Sequence, residues 1–203
     1  GQGEVLAAPD QATVNMGVQA RGGTSQEAMG SASTVMQAVI GAIKAAGVND
    51  EDIRTSNISL SPEYSTNREP NTPPAVIGYR ASNTVTVKVR DLSKLPGVLD
   101  GSVAAGANVA NGISFGFNND DSLRQQALQA AYRNAETKAK SLATTMGVQV
   151  TGVLQVNENG ISVPVPLPVK VGVPDAAGAA PSVPVQAGQQ AVTGNVTAVF
   201  IIG

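Results

Sequence analysis

Cysteine and histidine are absent from this chain of 203 residues. Without them it has no thiolate or imidazole to bind a metal, no Cys nucleophile and no His base, so the common catalytic constellations are excluded. The lack of Cys fits an oxidising compartment, where a stray thiol is a liability. Aromatics are scarce, three Tyr and three Phe, and the 13 basic residues are scattered in a chain of net charge -2. Neither a cationic stripe nor a stacking platform is present, so nucleic acid is not an expected partner. No apolar run reaches eighteen residues, so no transmembrane segment is expected. Residues 1–9 do not read as a signal peptide; we expect an exported chain whose leader has been removed. The length suffices for one sizeable core, or for two small ones, without a disulfide or metal staple.

What is present is periodic. In 118–148, Leu128, Ala131, Ala135, Ala139, Leu142 and Met146 recur at steps of three and four, which predicts a helix over 121–146 with this stripe buried. Asn119 or Asp120 is the expected N-terminal cap, Lys138 and Lys140 lie in the C-terminal half, and Gly147 ends the helix. Its mostly alanine stripe asks for a flat partner that can approach closely, a β-sheet. A second helix is predicted from the capping-box pair Thr24 and Glu27, with the stripe Ala28, Ala32, Val35, Val39, Ile43 and Ala46, closed by Gly47.

Strands follow from alternation. Val14, Met16, Val18 and Ala20 form one face of the first, and 3–20 reads as a hairpin or a bent strand around Pro9-Asp10. Ile58 and Leu60 alternate with serines towards Tyr64. Tyr79, Ala81, Asn83, Val85, Val87 and Val89 form one clear face opposite Arg80, Ser82, Thr84, Thr86, Lys88 and Arg90. A short helix is expected in 93–105, with Pro96 in its first turn. Strands are also expected around Ile113, Phe115 and Phe117, over 148–156, and from Val192 to Ile202. The stretch 66–75 reads as an exposed loop. The segment 160–188 holds six of the twelve prolines and reads as a polyproline-like loop or arm. The fold class is therefore α+β: two long helices on mainly antiparallel sheet, in two related strand-helix-strand halves. Gly47-Val48 and Gly147-Val148 mark the echo. One domain over 1–203 is expected, with subdomains of about 1–65 plus the strand 190–203, and about 76–158.

One set of residues carries a likeness. Gly1-Gln2-Gly3-Glu4 with Pro9-Asp10, the run from Ile53 to Tyr64, and Gly78-Tyr79-Arg80-Ala81-Ser82-Asn83 with Val85, Val87 and Arg90-Asp91-Leu92 resemble the SIMPL domain family, also called DUF541. Gly106-Ala107-Asn108 before Ile113-Ser114-Phe115, and the segment from Ala135 to Leu142, resemble its second half. The resemblance spans nearly the whole chain apart from 66–75 and 160–188. It implies an exported bacterial protein of the periplasm or cell surface with an α+β fold. It also implies association with the envelope and with oxidative-stress tolerance; some members are immunogenic. No catalytic residues are established for the family, so none are carried over.

Candidate chemistry is thin. Gly112-Ile113-Ser114-Phe115-Gly116 matches a nucleophile-elbow pattern, but no His can take the Ser114 proton, and Ser114 reads as the polar member of a strand. The oxygen-rich runs Asn49-Asp50-Glu51-Asp52 and Asn118-Asn119-Asp120-Asp121 lack the spacing of a calcium loop and suit turn and cap roles. Tyr64 and Tyr79 read as packing residues, or else as markers of a groove. Met16, Met36 and Met146 read as core and Met29 as lying off the stripe, with oxidant scavenging the alternative. We therefore expect no catalytic residue, cofactor or metal site. The expected function is a non-catalytic envelope protein, a homo-oligomer joined through strand edges and loops. The alternative is a binding module for a hydrophobic ligand, peptide or envelope partner, and a Ser-Lys hydrolase using one of six lysines has no support from spacing.

Overall fold

The computed structural model describes residues 1–65, 73–163 and 186–203. In chain order these form β1 (Gln2–Ala7), β2 (Gln11–Gly22), α1 (Ser25–Ala45), β3 (Ile53–Tyr64), β4 (Val76–Val89), α2 (Leu95–Ala104), β5 (Val109–Gly116), α3 (Asp121–Thr145), β6 (Val150–Ser162) and β7 (Gln190–Ile202). The class is α+β, with two antiparallel sheets. Two compact units result. One is Asp10–Phe115; the other joins Gly1–Pro9, 116–163 and Ala187–Gly203.

Within Asp10–Phe115 the strand order is β3-β4-β2-β5, antiparallel from β3 to β2. Thr24 caps α1 as its pattern predicts: its hydroxyl accepts from Glu27 N at 3.2 Å, and Glu27 accepts from Thr24 N at 3.2 Å. Ala28, Ala32, Met36, Val39 and Ile43 are buried on that helix, over Val14, Met16, Val18, Ala81, Val85, Val87 and Val89. Each fully buried large aliphatic side chain here contributes about 2 kcal/mol of transfer free energy. Gly47 at φ 88° ends the helix at a cost only glycine avoids. A 3₁₀ turn, Leu92–Lys94, leads into α2, which rests on α1 through buried Leu95, Val98 and Leu99. Asn108 fixes the start of β5 against β2, its amide both accepting from Gln19 N at 2.7 Å and donating to Gln19 O at 2.8 Å.

The other unit has the order β1-β7-β6, all antiparallel. Here β1, α3, β6 and β7 repeat the plan of β2, α1, β3 and β4: strand, helix, edge strand, then a central strand between the other two. The two related halves are thus present, the Asp10–Phe115 unit carrying α2 and β5 in addition. The sequence-based boundaries differ, however. β3 pairs with β4, so 53–64 and 76–89 share one sheet; β6 and β7 likewise pair with each other. Nor is 3–20 a hairpin, because β1 pairs with β7 while β2 pairs with β4. Long-range strand pairing, invisible to local periodicity, decided both.

Two further expectations need correction. Gly160, Ile161 and Ser162 belong to β6 rather than to a loop; 164–185 and 66–72 lie outside the described residues. On α3 the buried residues are Ala127, Ala131, Ala135 and Ala143, whereas Leu142 and Met146 are 64% and 61% exposed. Larger apolar side chains suggested a stripe rotated from the true one, which alanines occupy because the helix sits close to backbone.

Candidate functional site: an open sheet edge and the groove beside it

The position of α3 is set by missing side chains. A Cβ on Gly1 would overlap Ala131 O, and one on Gly3 would overlap Ala127 O and Ala131 N. A Cβ on Gly194 would stand 3.0 Å from the carbonyl carbon of Ala127. Glycines on β1 and β7 thus face alanines on α3, and helix and sheet meet almost backbone to backbone. The Asn134 amide oxygen accepts from Gln2 N at 3.2 Å and ties the helix to β1. Drawn over β1 and β7, α3 covers little of β6, the edge strand.

A step is left between helix and edge. Leu128, Tyr132, Gln129 and Arg133 wall it on the α3 side, and Val156, Glu158 and Val196 form its floor, enclosing about 340 Å³. Tyr132 is braced by Phe200, ring centroids 6.4 Å apart and planes at 39°. Val196 is buried, while Val156 on the floor is 49% exposed and Leu154, within the register shift before it, 70%. Neither Arg133 nor Glu158 has an ion-pair partner among the described residues. β6 is regular against β7 from Gln155 to Glu158, with register shifts at Val153/Gln155 and Glu158/Ile161 on either side. Chemically this is a binding surface: apolar, with one charge of each sign and a line of backbone groups that no described strand pairs.

A second hollow, about 140 Å³ in the Asp10–Phe115 unit, is polar. Asp52 lies in it with its side chain 5% exposed, and Arg90 grips both carboxylate oxygens at 2.8 Å. The Arg90 hydrogen bond holds the Asp52 carboxyl below the usual range despite the opposing effect of burial, and the Asp52 contact raises Arg90. Lys94 Nζ donates to Gly47 O at 3.2 Å, a cation on the exposed carbonyls at the end of α1. Asp50 pairs with Lys44 at 2.8 Å. In the run 49–52, therefore, Asp50 and Asp52 serve structure, as a turn role requires.

The remaining candidates are scattered. Asn119 accepts from Asp121 N at 2.8 Å, whereas Asp120, the N-cap, makes no cap bond and instead binds Arg124 at 2.8 Å, which holds its carboxyl low. Ser114 lies on β5 between buried Ile113 and Phe115. Tyr79 packs on the Ala28, Ala32 and Ala81 cluster, as does Met29, and Tyr64 is exposed on edge strand β3. Met16 and Met36 are core; Met146 is not. Across strand faces, Glu63 of β3 accepts from Arg80 Nε at 2.7 Å and pairs with Arg21 at 3.0 Å, and the Arg80 bond holds its carboxyl low. Among the described residues no group of three or more acidic side chains is placed to hold a metal ion, and no helix is long and apolar enough to cross a membrane. Leu128, Tyr132, Val156, Glu158 and Val196 were not individually predictable as a site. Leu128 belongs to the stripe expected to be buried, and the others carry no signal of a groove.

Comparison with known proteins agrees with this architecture. A 26 kDa periplasmic immunogenic protein of Brucella melitensis is 34% identical over 207 residues, spanning all of this chain and 82% of the relative. The uncharacterized protein YggE of Edwardsiella ictaluri is 34% identical over 77% of this chain and 64% of its own length; YggE of Escherichia coli K12 is 31% identical over 70% and 57%. None of these names denotes an enzyme. The family described as SIMPL, protein of unknown function (DUF541), matches residues 1–200. The chain belongs to the SIMPL family.

Proposed function

We propose that this chain is a non-catalytic protein of the bacterial periplasm or cell envelope that associates with copies of itself through its open strand edges. The single observation behind this is that the two units repeat the same edge. β3 and β6, of 12 and 13 residues, each lie at the border of a sheet. Both carry exposed apolar side chains among polar ones: Ile58 is 58% and Leu60 41% exposed on β3, and Leu154 70% on β6. Long bare edges that carry such side chains invite pairing with another chain. On the sheet face opposite α3, Leu6, Val199 and Ile201 are exposed as well. Periplasmic placement is supported by the name of the Brucella relative and by the absence of Cys. Within this reading, a part in oxidative-stress tolerance would accompany assembly at the envelope.

The Cys-free background offers a direct test. Single variants Ile58→Cys, Leu154→Cys and, on the outer surface of α3, Thr137→Cys are oxidised at equal concentration. Disulfide-linked dimers are expected from one or both edge positions and not from Thr137. Equal cross-linking at all three, or none at the edges, would overturn the proposal.

A further inference from the structure

We infer that the step between α3 and β6 is a seat for an extended peptide segment of another protein, paired through its backbone to the Gln155–Glu158 edge. Three features identify the occupant. The groove has one wall, α3, and a floor, β6 and β7, but no second wall among the described residues. A strand added to β6 would lie about 4.8 Å beyond it, and its helix-side side chains would supply that wall beside Val156 and Glu158. The edge itself presents amide and carbonyl groups that a partner with a backbone would pair, whereas a lipid chain or apolar small molecule would fill the groove without engaging them. The register shifts on either side then confine pairing to a short stretch, long enough for a peptide and poor for a continuous sheet.

Charge defines the segment further. Glu158 and Arg133 have no ion partner among the described residues. A matching peptide therefore carries small apolar side chains at alternate positions, a basic residue over Glu158 and an acidic group towards Arg133. A second copy and this segment would compete for β6, so this reading leaves self-association to the β3 edge, and the solution mass followed in the test separates the two.

The test uses the whole chain and a fluorescein-labelled decapeptide alternating valine with threonine, with lysine at one end and glutamate at the other, followed by anisotropy. Saturable binding is expected, weakened at least tenfold by N-methylation of alternate peptide amides and by Val156→Lys, and unchanged by Ile58→Lys on the other sheet. Glu158→Lys should weaken binding several-fold, and replacing the peptide lysine by glutamate should restore it. Thermal melts of each variant confirm folding, which these exposed positions tolerate. Absence of saturation at millimolar protein, or equal affinity for the N-methylated peptide, would overturn the inference. So would binding that occurs only as the peptide lowers the solution mass of an assembly, since a second copy would then be the occupant.

Discussion

Glycine-to-alanine substitutions should change stability with opposite signs at two places, and the structure says which. At Gly3 a methyl group would overlap Ala127 O and Ala131 N and stand 2.8 Å from Ala130 C, all backbone atoms of one helix that cannot swing aside. Ordinary contact begins near 3.4 Å, so α3 must lift by more than half an ångström, breaking the packing of Ala127 and Ala131. Overpacking of this kind costs about 1–3 kcal/mol, occasionally more. At Gly41, exposed within α1, nothing lies within 4 Å of the new methyl. There Ala removes backbone freedom from the unfolded chain and stabilises by about 0.5–1 kcal/mol. At roughly 2–4 °C per kcal/mol for a chain this long, Gly3→Ala should lower Tm by about 2–12 °C while Gly41→Ala raises it by about 1–4 °C. Calorimetry of both variants measures this in one buffer. A neutral Gly3→Ala would refute the close contact of helix and sheet from which the exposed edge of β6 was derived.

Other outcomes follow from the same geometry. Leu142→Gln and Met146→Gln should each shift stability by no more than about 0.5 kcal/mol, since both side chains are exposed, whereas Ala131→Leu should destabilise strongly by urea titration. Thr24→Ala removes the cap of α1 and should cost about 1 kcal/mol. The Arg90 contact lowers the Asp52 carboxyl in the folded chain, so the unfolded chain takes up that proton first; stability should be full at neutral pH and fall below about pH 5 as the solution approaches the depressed value. Asp52→Asn should lower stability at neutral pH and flatten that acid slope in melts recorded against pH. A slope unchanged by the substitution would deny the ion pair its role.

Much of the fold was legible because its signals are local. Thr24 and Glu27 announced a capping box, Gly47 and Gly147 the left-handed ends of helices, and the alternation from Tyr79 to Val89 a strand with one dry face. Partners were less legible. Nothing in the period-two pattern of 3–20 says that its first half joins β7, nearly the whole chain away in sequence. The rotated stripe of α3 shows a related blind spot: hydrophobicity favours Leu142 and Met146, whereas Gly1, Gly3 and Gly194 make alanine the residue that fits. The candidate site was invisible for the same reason. It exists because α3 is drawn to one side of a three-stranded sheet, and that displacement depends on small residues meeting across the fold rather than on any motif in β6.

Solution mass tests the central claim most directly. Sedimentation or light scattering of the intact chain, from micromolar to near-millimolar concentration, should give masses that are multiples of 20.5 kDa and that fall when Ile58→Lys and Leu154→Lys are combined. A mass of 20.5 kDa throughout the range, unaltered by those two lysines, would contradict it.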